Sequence, residues 1–140
     1  MAVLFGANTA PVGTTPRGNV SGAQQGARVR VYREVITLAT QTTSDTITLA
    51  DNVPVGSTFM YGVMLATVTL GATATVAIGV TGTTGKYRAA AVYTTAAPEV
   101  FGVAAGSVTL TAAETVFATI AAASLPGAGT WIVQLFYCEA

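Results

Sequence analysis

Histidine is missing from this 140-residue chain, and cysteine occurs once, at Cys138. Without histidine, Ser–His–Asp triads, Cys–His nucleophile pairs and histidine-ligated metals are excluded. One cysteine cannot close an intrachain disulfide, so the fold takes no covalent support from an oxidising compartment, and Cys138 reads as a small apolar residue on a closing strand. Charge is equally scarce. Charged residues are 9% of the chain, far below the roughly 25% usual in soluble domains, and six basic and six acidic side chains cancel to zero. Zero net charge speaks against nucleic acid as a partner, because neutralising phosphates needs a basic face. The opening MAVLFGANTAPVG lacks the basic start and sustained apolar stretch of a signal peptide, which points to synthesis and use in the cytosol.

What is abundant is apolar surface, at 51% of residues. So few charges on so apolar a chain leave a surface poorly defended against association, and the expectation is a homo-oligomer that hides part of it. The length is that of a single domain burying roughly two-thirds of the surface its unfolded form exposes.

The longest uncharged run reaches from Asn52 to Gly85, with FMYGVMLATVTLGATATVAIGV at its centre. Its length would cross a bilayer. Its repeated threonines (Thr67, Thr69, Thr73, Thr75), its glycines (Gly62, Gly71, Gly79) and its period-two alternation argue for strands instead, and no membrane partner is expected. The run reads as two strands folded back at Gly71. Phe59, Tyr61, Val63 and Leu65 share one side before the turn, and Val76, Ile78 and Val80 share one after it.

Residues 1–27 differ from the rest. Five glycines, Pro11, Pro16 and small polar residues leave neither helical nor strand periodicity, so they form an arm preceding a domain over 28–140. Arms of this composition are either solvated tails or segments ordered only along a partner. Leu4 and Phe5 in the MAVLF tip are an apolar anchor that a solvated tail does not need. Arg17, Arg28, Arg30 and Arg33 are the only charges before Glu34, and arginine's planar fork suits carboxylates on a partner surface. Leu4, Phe5, Arg17, Arg28 and Arg30 are thus the candidate partner-binding residues.

From Arg28 onward the pattern is of strands. Arg28–Ala39 alternates valines against arginines and shifts phase near Glu34 and Val35, as at a bulge. Thr46–Leu49 is a short strand, and DNVPVG at Asp51–Gly56 is a turn. Lys86–Tyr93 fits either a helical turn or a strand. Glu99–Val103 and Ser107–Thr111 are short strands, and Glu114–Ala122 places Val116, Ala118 and Ile120 on one face. After a turn at Pro126–Gly129, the closing strand Thr130–Cys138 aligns Trp131, Val133, Leu135 and Tyr137. About eight strands with turn signals every ten residues or so specify an antiparallel β-sandwich. A jelly roll is the most economical form, with an immunoglobulin-like Greek key close behind.

No catalytic grouping emerges. The carboxylates Glu34, Asp45, Asp51, Glu99, Glu114 and Glu139 fall in turns or at strand edges, with no spacing that pairs them for glycoside hydrolysis. GVTGTTGK at 79–86 is followed by Tyr87 and fails the phosphate-loop order. Asp45 and Asp51 lack the ligand-rich loop of a calcium site, and Tyr87 and Tyr93 beside Lys86 and Arg88 fit packing better than base or sugar stacking. Neither enzymatic activity nor a cofactor is expected.

The segments TLGATATVAIGVTGTTGKYRAAAVYTT and LTAAETVFATIAAASLPGAGTWIVQLFY, within residues 45–138, resemble small virion structural proteins of tailed bacteriophages, of the capsid decoration or cement type. The resemblance implies a β-sandwich that forms a homotrimer on the outer face of the head. It also implies a partner, the major capsid protein, whose neighbouring subunits the trimer clamps, and an arm that reaches adjacent subunits. The location implied is the virion surface, after assembly in the host cytoplasm. Two alternatives stand beside it. One is another virion component, such as a head fibre base, tail or receptor-binding protein. The other is a carbohydrate-binding jelly roll, although such modules usually present an exposed aromatic platform and the single tryptophan, Trp131, sits in a core-like strand.

Overall fold

The structure, a computed structural model, describes residues 28–105 and 108–139. The arm expected over residues 1–27, and with it Leu4, Phe5 and Arg17, lies outside the described residues.

Eight strands follow one another: β1 (Arg28–Thr37), β2 (Thr46–Val53), β3 (Thr58–Ala66), β4 (Gly71–Val80), β5 (Thr83–Tyr93), β6 (Glu99–Phe101), β7 (Glu114–Ala121) and β8 (Thr130–Glu139). They form two four-stranded antiparallel sheets, ordered β1-β8-β3-β6 and β2-β7-β4-β5. Only β4 and β5 are both consecutive and paired, and every other connection crosses from one sheet to the other. This is the jelly-roll arrangement, in which chain neighbours face one another across the core. No described helix is long and apolar enough to cross a membrane.

The expected central hairpin is therefore not one. β3 and β4 belong to opposite sheets, and the turn at Gly71 carries the chain over the end of the sandwich. Alternation in sequence reports which face is buried and says nothing about which strand is the neighbour. The expected phase of β3 is also half wrong. A register break against β8 between Phe59 and Tyr61 inserts an extra residue. Phe59 thus points inward, but beyond the break the buried positions are Gly62, Met64 and Ala66, and Tyr61, Val63 and Leu65 turn outward.

Three further differences have local causes. β1 keeps unbroken register with β8 from Arg28–Glu139 to Thr37–Thr130, with no bulge at Glu34; Tyr32 and Ile36 turn inward, while Val29, Val31 and Val35 are exposed. β2 runs on through Asp51–Val53, carried by register breaks and by Asn52 at a φ of 51°. Beyond β6, Val103–Ala105 is a single 3-10 turn, and the expected strand at 107–111 is reduced, among the described residues, to one bridge between Thr58 and Thr109. The ambiguous Lys86–Tyr93 segment is strand, as part of β5.

The core joins the inward faces. Trp131, Val133, Leu135 and Tyr137 of β8 pack opposite Val116, Ala118 and Ile120 of β7 and Val76 and Ile78 of β4. Both of these expected alternations hold for β7 and β8. Gly62 lies under the Phe101 ring so closely that an added Cβ would sit 2.2 Å from it. Glycine there lets the three-residue β6 dock against β3.

Candidate interaction surface

Six carboxylates are available, and the structure gives five of them visible work. Asp45 accepts hydrogen bonds from the Thr42 backbone N–H at 2.6 Å and its hydroxyl at 3.0 Å, fixing the β1–β2 turn. Asp51 accepts from Thr115 Oγ1 at 2.9 Å. Glu139 pairs with Arg30 at 3.1 Å. Glu99, on β6, takes the Arg88 guanidinium at 2.6 and 3.3 Å. Arg88 is buried on β5 and also donates to the carbonyls of Val76, Ala91 (3.1 Å) and Val92 (3.3 Å), so one side chain ties the bulged β4–β5 pair to the other sheet.

Glu114 is the fifth. It receives Lys86 Nζ on one oxygen and the Tyr87 hydroxyl on the other, with Tyr137 Oη at 3.4 Å. Burial first, and then the hydrogen bond to Glu114, holds the Tyr87 phenol well above its ordinary range; burial likewise raises Tyr137. Both hydroxyls thus remain protonated donors. Phe59 packs against Tyr87 with ring centroids 4.1 Å apart and edge-on to Tyr137 at 5.3 Å, sealing the cluster. A carboxylate already held by an ammonium and two phenols is a core fastening, and no second carboxylate shares its contacts. Among the described residues, no three potential metal ligands gather.

The distinctive surface lies elsewhere, on the outside of the β1-β8-β3-β6 sheet. Strand pairing places Val31, Phe136 and Tyr61 in one row, then Arg33, Gln134, Val63 and Val100, then Val35, Ile132 and Leu65. Tyr61 and Phe136 stack with centroids 4.6 Å apart. Val29, Val31, Val35, Leu65 and Val100 are among the exposed large apolar side chains, with Val100 at 59%. On the other sheet's outer face only Val92 is in that class. A contiguous apolar patch of this kind marks an interaction surface. Arg33, Val63, Leu65, Pro98, Ile132 and Gln134 line a shallow depression at its centre.

The structure places Arg28 and Arg30 on exposed β1, with Arg30 engaged by Glu139. Both alternate with the outward valines and lie on the inward side of β1, with Tyr32 and Ile36, so they are not part of the apolar outer face. Sequence reasoning missed that face because it set Tyr61, Val63 and Leu65 on the same side as Phe59, which the structure turns inward. The available signal was β8, TWIVQLFYC, whose intervening positions Ile132 and Phe136 are as apolar as its inward ones. Trp131 is fully buried in the core, which removes it as a sugar platform.

No family model and no curated protein matches the chain. Solved structures do. A chain of the capsid asymmetric unit of cyanophage Pam1 superposes with a TM-score of 0.62 at 22% identity, covering 81% of this chain and 86% of that one. A chain of the capsid of Ralstonia phage GP4 superposes with a TM-score of 0.64 at 21% identity, covering 81% and 85%. This chain thus shares the jelly-roll β-sandwich of chains found in two phage capsids.

Proposed function

We propose that this protein is a non-enzymatic virion component that decorates a phage capsid, binding across neighbouring major capsid subunits as a homo-oligomer, with the homotrimer as the form the family resemblance implies. The observation that carries this reading is the apolar outer face of the β1-β8-β3-β6 sheet, on a fold shared with chains of phage capsids. The mechanism is mechanical. An oligomer touching several shell subunits forms its full set of contacts only in the expanded shell and shifts the equilibrium toward that state. Several modest contacts on one oligomer act together, which raises their combined affinity.

Mixing the purified full chain with undecorated heads tests this by sedimentation. The protein is expected to pellet with the heads at a fixed ratio to the major capsid protein; a protein left wholly in the supernatant would overturn the reading. Deleting residues 1–27 tests the arm separately. The truncated protein is expected to keep its folded state and lose head binding, and unchanged occupancy would remove the arm and its residues Leu4, Phe5 and Arg17 from the contact.

A further inference from the structure

A jelly roll has four sheet edges, here β1, β6, β2 and β5. Three are blunted. β6 has only three residues, β2 breaks register with β7 twice, and β5 breaks register with β4 three times. Shortness and bulging are the ordinary means by which proteins stop edges from pairing with other chains. The fourth edge has neither. β1 is ten residues long, contains no proline, keeps unbroken register, and among the described residues pairs only with β8. Its free side is a row of backbone donors and acceptors able to take another strand.

The side chains of β1 indicate which strand fits. We propose that β1 of a second copy pairs with it antiparallel, about a two-fold axis passing through Tyr32. In that register Arg30 of each copy stands opposite Glu34 of the other, Val29 opposite Val35, and Val31 opposite Arg33. Opposed positions share a face, because each pair is separated by an even number of residues. The two Arg30–Glu34 pairs are therefore on the inward side and the valines on the outward side. A shift that brings Arg33 onto the axis sets two arginines against each other, and like charges directly opposed disfavour pairing. The Tyr32 register opposes no like charges, and it leaves the Arg30–Glu139 contact within each copy in place. It also joins the two apolar outer faces into one eight-stranded surface. A two-fold contact is separate from those of a trimer, so trimers bearing it would associate further in pairs. It forms without a shell, and its test involves no heads.

Light scattering on the full chain over a range of concentrations should show mass doubling, from one copy to two or from three to six. Glu34→Arg, and separately Arg30→Glu, replace both opposite-charge pairs with like-charge pairs and should weaken that step about tenfold. The Arg30→Glu/Glu34→Arg double variant exchanges the partners and should restore it. Both side chains are exposed, and circular dichroism confirms that each variant is folded. Absence of the doubling, or equal association in the parent and all three variants, overturns the proposal, as does a double variant no better than the singles. Hydrogen exchange on the unmodified protein is an independent measurement. The alternate amides of β1 that point away from β8 should lose protection on dilution. Protection of these amides independent of concentration would mean that the same chain covers the edge, and no protection of them at any concentration would mean that nothing does; either contradicts the pairing.

Discussion

The outside of the β1-β8-β3-β6 sheet presents valine, isoleucine, leucine, phenylalanine and tyrosine where the outside of the β2-β7-β4-β5 sheet has mostly threonine, alanine and glycine. The contrast is sharpest between β7 and β8. In β7 the inward Val116, Ala118 and Ile120 alternate with Thr115, Phe117 and Thr119, the pattern of a strand with one face in the core. In β8 Ile132 and Phe136 stand outward between fully buried Trp131, Val133, Leu135 and Tyr137. A strand apolar on both faces has a use for both. One sheet closes the molecule against water, and the other offers a second hydrophobic surface that a partner can cover.

The largest expected effect comes from placing charge on that surface. Phe136→Glu should lower affinity for undecorated heads about a hundredfold or more, as expected when a central aromatic anchor is lost. Thr75→Glu, on the other outer face, should leave it unchanged; titration of heads with labelled protein distinguishes them. Next is Gly62→Ala. Its methyl group meets the Phe101 ring, so overpacking should cost about 1–3 kcal/mol in urea unfolding and displace β6, which carries Val100. A smaller effect concerns pH. Tyr87 and Tyr137 have raised pKa values in the folded state, so the stability they contribute is complete below the unfolded phenol value of ~10 and is lost as pH rises above it. Tyr87→Phe should therefore flatten the alkaline fall in unfolding midpoint. Head binding by the apolar face should change little while the protein remains folded. The smallest expected effect is that of Val92→Thr, within about 0.5 kcal/mol of the parent in stability and equal to it in head binding.

Much of this was legible in the sequence. Strand number, sandwich class and the inward sets of β7 and β8 follow from period-two alternation bounded by glycine and proline turns. Strand neighbours were not legible, because a jelly roll sends consecutive strands to opposite sheets and a hairpin-like sequence at Gly71 is compatible with either outcome. The bulge beside Met60 was hidden for a related reason. Tyr61, Val63 and Leu65 are as apolar as Gly62, Met64 and Ala66, so composition could not show where the phase flips. Arg88 and Glu114 stood out only as charges. Their partners Glu99 and Lys86 are 11 and 28 residues away in the chain and meet them through folding alone. The apolar outer face came into view only once register put β1, β3, β6 and β8 side by side.

Hydroxyl-radical footprinting of the protein on heads, compared with the protein free in solution, addresses the central claim most directly. Tyr61, Leu65 and Phe136 are expected to become protected on binding, while Phe117 and Val92 on the opposite sheet stay as reactive as before. Protection of Phe117 and Val92 with Tyr61, Leu65 and Phe136 still reactive would contradict it.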